Sequence, residues 1–132
     1  MAKQENKKTD SFEDIAFETI ETLEDGKHTG TISEIHRNKG EFDYTQYKIA
    51  VDGSNVKINL SFPTRITFTT KGEASSEHAK FLSVFGFGMD SEKPYADIKD
   101  ELLGKKVSFM TMQKKTDKGM FAEIVKESVR KL

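Results

Sequence analysis

The sequence predicts an all-β domain in which five strands close into a barrel, with one helix between strands 3 and 4 and an N-terminal extension. Two observations carry this prediction. Most of residues 27–62 and 106–125 alternate between apolar and polar side chains, as half-buried strands do. Residues 76–86 instead repeat their apolar side chains at helical spacing. A chain of 132 residues suits one domain with a modest core.

The first predicted strand, residues 27–37, changes phase along its length. His28, Gly30 and Ile32 fall on one side, whereas Ile35 falls on the other. A glycine and a change of phase within one strand predict a bulge or a strong bend. A strand that bends to serve both halves of a closed barrel has this property.

The second and third strands are predicted at residues 42–51 and 56–62, with an Asp-Gly turn between them. Alternation assigns their side chains to two faces. The inward positions are Tyr47, Ile49, Val51, Val56, Ile58, Leu60 and Phe62. The outward positions are Tyr44, Gln46, Lys48, Ala50, Lys57, Asn59 and Ser61.

A loop and a helix follow, with Ser75 or Ser76 as the N-cap and Gly86 or Gly88 as the stop. The predicted apolar stripe of this helix is His78, Phe81, Leu82 and Phe85.

Residues 97–105 predict a short helical turn. Strands 4 and 5 are then predicted at residues 106–113 and 120–125, joined by the loop KKTDKG with Gly119 free to adopt a positive φ. Five strands with one helix between the third and fourth is the order of the oligonucleotide/oligosaccharide-binding fold, the OB-fold.

The chain is predicted to have three parts. Residues 1–22 form a flexible, acidic arm, residues 23–128 form the OB-fold domain, and residues 129–132 form a short basic tail. Residues 12–26 carry six acidic side chains and no basic one, whereas residues 27–132 have a net charge of +4.

The arm also carries apolar side chains near helical spacing behind a possible Ser11 cap, which predicts a partly helical arm. Its threonines leave an extended lead-in strand as the alternative. Ile15, Ile20 and Leu23 are predicted either to fold back on the barrel or to anchor the arm on a neighbouring copy.

Composition argues against several classes of protein. The absence of cysteine excludes disulfides and thiolate metal sites, and the three histidines lack the spacing of metal ligands. The Gly-x-Gly of "FGFG" ends a helix rather than opening one, so it does not indicate a phosphate site. No catalytic residue, cofactor or metal is expected. The chain has no apolar run of about 20 residues and no secretory signal, so a cytoplasmic protein is predicted.

The segment HRNKGEFDYTQYKI, residues 36–49, mixes rings with charges in a way that a core strand does not require. Ligands of an OB-fold lie across strands 2 and 3, between the loop that joins strands 1 and 2 and the loop that joins strands 4 and 5. Exposed rings stack on the bases of single strands, and lysine and arginine contact phosphates. The predicted nucleic-acid-binding residues are Arg37, Lys39, Phe42, Tyr44, Gln46, Lys48, Lys57, Asn59, Arg65, Lys114, Lys115 and Lys118.

Structural roles remain open for some of these residues. Phe42 could close the end of the barrel, Arg65 could cover it, and the hairpin lysines could serve solubility alone.

A family resemblance rests on "LEDGKHTGTISEI", "YKIAV", "KINLSFP", "KFLSVFG" and "ELLGKKVSFMTMQKKTDKGMFAEIV". Over residues 23–128 the chain resembles small OB-fold single-stranded DNA-binding proteins of the type encoded by phages and conjugative plasmids of Gram-positive bacteria. The resemblance implies coating of single strands in replication or transfer, without catalysis or metal. Typical bacterial members end in an acidic tail that recruits partners, whereas this chain ends in "VKESVRKL".

Three functions are therefore expected in order of preference. The first is non-catalytic binding of single-stranded DNA, and the second is an OB-fold adaptor between proteins in a transfer or phage assembly complex. The third is an RNA-binding module, since stacking and phosphate contacts serve both nucleic acids.

Overall fold

The computed structural model describes residues 12–17 and 23–132. Six strands, two helices and one 3-10 turn at Lys126–Ser128 make up the described chain. In chain order these are β1 (Gly26–Lys39), β2 (Asp43–Val51), β3 (Lys57–Pro63), α1 (Glu77–Val84), α2 (Tyr95–Leu102), β4 (Lys106–Thr116), β5 (Gly119–Ile124) and β6 (Arg130–Lys131).

The strands form one antiparallel sheet in the order β3-β2-β1-β4-β5, and β6 pairs with β4. The predicted all-β class is confirmed. Closure into a barrel is not seen, because no ladder within the described residues joins β3 to β5, although these two edge strands approach each other. Two helices lie between β3 and β4, the second of them where a helical turn was expected.

The predicted bend in β1 is confirmed as a bulge. Ile32 pairs with Ile49, but Glu34 already pairs with Lys48, so Ser33 is the extra residue. Gly30 sits just before it, where β1 is hydrogen-bonded to both β2 and β4. The first half of β1 therefore pairs with β4 and the second half with β2 alone, so one strand serves both parts of the sheet.

The core follows the predicted alternation of β2 and β3. Tyr47, Ile49, Ile58, Leu60 and Phe62 are buried, and the residues between them face outward. The prediction that Val56 lies inward is met only in part, since it is half-buried at the edge of the core.

Helix α1 covers one side of this core with the predicted stripe, all four members of which are buried. Its N-cap is Ser76, whose hydroxyl accepts a hydrogen bond from the Ala79 amide at 3.1 Å. Gly86 ends the helix with φ +87°, and the Phe87 amide donates to the Leu82 carbonyl. This is the Schellman arrangement, which favours glycine.

A buried polar network joins this helix to the sheet. The Tyr47 hydroxyl lies 2.5 Å from His78 Nε2 and 2.7 Å from the Tyr95 hydroxyl, and His78 Nδ1 lies 2.9 Å from the Thr64 carbonyl. A carbonyl only accepts, so Nδ1 carries the proton and Nε2 accepts from Tyr47. The Tyr95 hydroxyl must then donate to Tyr47, and every member of the network is satisfied.

The structure differs from the prediction in the N-terminal arm. Residues 12–15 form a turn, in which the Ile15 amide donates to the Phe12 carbonyl at 3.2 Å, and residues 12–17 contain no helix. A short helix needs a packed face, and these apolar side chains are exposed. Ile20 and the other residues of 18–22 lie outside the described residues. Leu23 is only 6% exposed in the core of its own chain, so it follows the predicted alternative of folding back and does not anchor a neighbour.

The C-terminal end also differs. Val129 is buried and Arg130–Lys131 pair with β4, so the predicted basic tail is part of the domain. A strand of two residues has no periodicity that a sequence pattern can reveal. Among residues 12–17 and 23–132, no helix is long and apolar enough to cross a membrane.

Candidate functional site

Five of the predicted site residues lie together on the outward face of β2 and β3. The register sets Tyr44 opposite Pro63, Gln46 opposite Ser61, and Lys48 opposite Asn59. The second half of β1 extends this surface with its own outward side chains. We call this surface the open face, and its members are Glu34, His36, Asn38, Tyr44, Gln46, Lys48, Lys57, Asn59 and Ser61.

Two rings lie at one end of the open face. Tyr44 is half-buried and its hydroxyl accepts from Asn38 Nδ2 at 3.2 Å, which fixes the ring on the sheet. Phe42, in the turn just before β2, is 75% exposed. Both rings border a shallow depression that also touches Ser61 and Pro63. Exposed rings of this kind offer a surface on which a planar group can stack.

The middle of the open face carries hydrogen-bonding and charged groups. Gln46 Nε2 lies 3.5 Å from Ser61 Oγ. The Glu34 carboxylate lies between His36 Nε2 at 3.0 Å and Lys57 Nζ at 3.3 Å. Hydrogen bonds from His36 and then Lys57 lower the pKa of Glu34 below its usual value, so this carboxylate stays charged near neutral pH.

Arg37 and Lys39 lie on the side of β1 opposite to the open face. Their ladder partners are Thr45 and Asp43, which have the parity of the buried Tyr47 rather than that of Tyr44. The first strand was predicted to end at Arg37, which left Lys39 in the loop, but β1 continues to Lys39 and only residues 40–42 form the turn. Thr45 is still buried, but the hairpin extends past the core beyond it, where Lys39 and Asp43 are exposed and the sequence loses its alternation.

The Arg37 guanidinium holds Asp43 in a two-pronged pair, with Nε to Oδ1 at 2.9 Å and Nη2 to Oδ2 at 2.5 Å. The Thr64 hydroxyl donates to the same Oδ1 at 2.8 Å. Arg37, followed by Thr64, holds the pKa of Asp43 well below its usual range. In this arrangement Arg37 joins the two strands of the β1–β2 hairpin, and Asp43 ties that hairpin to Thr64, just after β3.

The three hairpin lysines belong to a separate part of the sheet. Lys114 and Lys115 are strand residues of β4, and Lys118 occupies a two-residue turn before Gly119, whose φ is +123°. The predicted six-residue loop is therefore a tight hairpin. All three lysines are exposed, and Lys114 Nζ lies 3.3 Å from Glu123 Oε2. Arg65 is exposed two residues after Pro63, beyond the end of the open face where Tyr44 lies.

Sequence reasoning missed the contribution of β1 to the open face. Once Ser33 is skipped, Glu34, His36 and Asn38 fall opposite Lys48, Gln46 and Tyr44. A bulge was predicted, but its position was not, and a shift of one residue moves every later side chain to the other face.

Within the described ranges, no group of three or more His, Asp or Glu side chains could hold a metal ion. No family model matches the chain, and no curated protein matches it either. The geometry of the open face is thus the principal guide to its function.

Proposed function

We propose that the chain is a non-catalytic OB-fold protein that binds single-stranded DNA across the open face. The observation that carries the proposal is a surface of two neighbouring strands that combines a fixed tyrosine ring, side chains that form hydrogen bonds, and lysines. A strand face packed against another layer would be apolar. This face is polar, aromatic and accessible, which suits a flexible, charged polymer with flat bases.

The strand order supports the OB-fold. An OB barrel is an antiparallel Greek key with a helix between its third and fourth strands, and its binding surface is the face of strands 2 and 3. Here β3 and β5 are the outer strands of the order and approach each other, as closure of such a barrel requires. The bulged β1, shared between β2 and β4, is the bend that closure needs.

Base stacking and phosphate contacts would both contribute to the binding of DNA. Tyr44 and Phe42 would each stack on a base, which contributes about 1–3 kcal/mol per base with little sequence preference. Lys48 and Lys57 would contact phosphates, with the β4–β5 hairpin lysines and Arg65 as further cations around the groove. Lys57 would exchange its exposed pair with Glu34 for a phosphate, because an exposed pair of this kind contributes little.

Arg37 and Lys39 are less important for DNA binding in this proposal. Arg37 is already engaged by Asp43 and points away from Tyr44, so it would support the hairpin that carries Phe42. The biological role that follows is the coating or protection of single strands in replication or conjugative transfer, in the cytoplasm.

The salt dependence of binding tests this assignment. Replacing Lys48 and Lys57 by alanine is expected to reduce the log–log salt slope of oligo-dT binding by about 0.7 for each lost contact. The matched control is the same double change at Lys71 and Lys80, which are exposed on the loop and helix after β3. An equal loss of slope in both variants would mean that the open face is not the binding surface. Absence of binding to oligo-dT by the wild type at about 50 mM salt would favour the protein adaptor.

A further inference from the structure

An apolar strip lies on the outward side of the β4–β5 hairpin. Met110, Met112 and Phe121 are between 49% and 60% exposed. Met110 and Met112 alternate on β4, and Phe121 pairs with the next outward residue of that strand, Lys114. Neither the core nor the open face uses these three side chains, which we call the strip. An exposed cluster of large apolar side chains often marks an interaction site.

Residues 12–17 also carry exposed apolar side chains. Phe12, Ile15 and Phe17 are each at least 70% exposed, so these three side chains are not packed on the domain. Ile15 and Phe17 are two residues apart, which in an extended segment puts both on one side at the spacing of Met110 and Met112. The arm therefore has uncovered apolar side chains that match the strip in spacing.

The charges around the strip are mixed. Lys27 is opposite Met110 in the ladder with β1, whereas Asp25 and Glu123 flank Met112 and Lys114 is already paired with Glu123. Lys27 is therefore the cation placed to meet an acidic segment. The arm is acidic, with Glu13 and Asp14 between its apolar side chains and further acids after them in the sequence.

The base of the arm is fixed on the strand that carries the strip. Gln113 Nε2 donates to the Leu23 carbonyl at 2.7 Å, and the Gln113 amide donates to Asp25 Oδ1 at 2.7 Å. Thr111 Oγ1 donates to the Glu24 carbonyl at 2.8 Å. Residues 23–25 therefore lie beside the strip, whereas residues 12–17 leave it uncovered, which favours a partner in another molecule over folding back.

We propose that the strip of one copy receives residues 12–17 of a second copy of this chain. The apolar side chains of residues 12–17 would cover Met110, Met112 and Phe121, and an acid of the same segment would face Lys27. Exchange between two copies gives a closed dimer, whereas head-to-tail use of the same contact gives a chain. This contact does not depend on the proposed binding of DNA.

The test is the self-association of the full chain without nucleic acid, measured by sedimentation or light scattering over a wide range of concentration. Phe17→Ser and Met112→Ser are each expected to weaken association about tenfold or more. Combined, they should weaken it little beyond either alone, because they remove the same contact. Both side chains are exposed, so both variants should melt like the wild type. Met89→Ser, at a residue 62% exposed in the loop between α1 and α2, is the control that should change nothing.

A mixture of the two single variants gives the sharpest result. The intact arm of Met112→Ser can dock on the intact strip of Phe17→Ser, so the mixture should associate more strongly than either variant alone. A monomeric wild type at every concentration would overturn the proposal, and so would a mixture with no recovery. If Met112→Ser weakened oligo-dT binding and left the mass unchanged, the strip would be a nucleic-acid surface instead.

Discussion

Two tyrosines three residues apart on β2 have opposite environments. Tyr44 is on the open face with its ring partly exposed, whereas Tyr47 is fully buried against Phe62 and Phe81. Tyr47 also donates to His78, so its removal would leave a buried acceptor without a partner. One ring is therefore placed to bind and the other to hold the fold.

Alanine at each position is expected to separate these roles. Tyr44→Ala should weaken oligo-dT binding by about 1–3 kcal/mol and leave the melting temperature nearly unchanged. Tyr47→Ala should lower the free energy of unfolding by about 3 kcal/mol or more, as loss of a buried ring does. Binding by polarisation and unfolding in urea measure the two effects. Exchanged outcomes would mean that the faces of β2 are reversed.

His78 makes stability depend on pH. Burial is the main cause that lowers its pKa below 6.5, and its two ring nitrogens are already committed in the neutral form. The unfolded chain therefore binds this proton more readily than the folded chain does. The resulting stabilisation is complete above pH 6.5 and is lost as the pH falls from there through the lowered pKa of the folded state.

We expect the free energy of unfolding to fall between pH 7 and pH 5, at no more than about 1.4 kcal/mol per pH unit for this one proton. The lowered carboxyl pKa values of Glu34 and Asp43 act at lower pH, because their ordinary values are 4.5 and 3.8. His78→Gln can keep both hydrogen bonds without the titration, and it should flatten the profile between pH 7 and pH 5. An unchanged slope in this variant would mean that a group other than His78 causes the pH dependence of the free energy of unfolding.

At the scale of elements, β1 holds the two parts of the sheet together. A Cβ built on Gly30 would lie 2.6 Å from the Ala50 carbonyl oxygen and 2.7 Å from Ile49 Cγ2. Backbone of a paired strand cannot move aside cheaply, so only glycine fits where β1 crosses from β4 to β2. The sequence pattern predicted a bend here, and the close approach explains it.

Gly30→Ala is accordingly expected to lower the free energy of unfolding by about 1–3 kcal/mol, the usual range for an overpacked core. Gly88→Ala is the control, because its Cβ would meet only Asp90 Oδ1 at 3.5 Å. Thermal or urea unfolding of both variants measures the difference. Equal stability would mean that the sheet adjusts at Gly30 without strain.

The elements that could be predicted are those with one buried face. Leu60 reveals its strand because the residues beside it are polar. Ser76 marks the start of α1 through its capping side chain, and Gly86 marks the end through its positive φ. The ends of the two hairpins could not be predicted. Lys39 and Lys115 lie past the core, where both faces of the strands are exposed to solvent. There, only pairing to a neighbouring strand defines the structure.

At the scale of the whole molecule, the candidate site was predictable in part for the same reason. Tyr44 and Lys57 could be assigned to the open face from the alternation of β2 and β3. Asn38 could not, because its face depends on which residue of β1 bulges. The docking partner of the arm was equally hidden, since exposure of Met112 follows from the sheet and not from its local sequence.

The distribution of charge gives the molecule two distinct regions. The acidic residues of 12–26 precede residues 27–132, whose net charge is +4, so the overall charge of −1 hides a surface able to attract a polyanion. Binding of single strands would then be strongly dependent on salt and weakly dependent on sequence, whereas duplex would not present bases to Tyr44 and Phe42.

The central claim is tested most directly by polarisation titrations of the full chain with labelled oligo-dT, oligo-rU and duplex DNA at two salt concentrations. The account predicts binding of oligo-dT at about 50 mM salt, weaker binding to duplex, and a loss of affinity at the higher salt with a slope near −0.7 for each phosphate contact. The oligo-rU arm decides between DNA and RNA as the preferred ligand. Failure to bind any single strand at the lower salt would contradict the account.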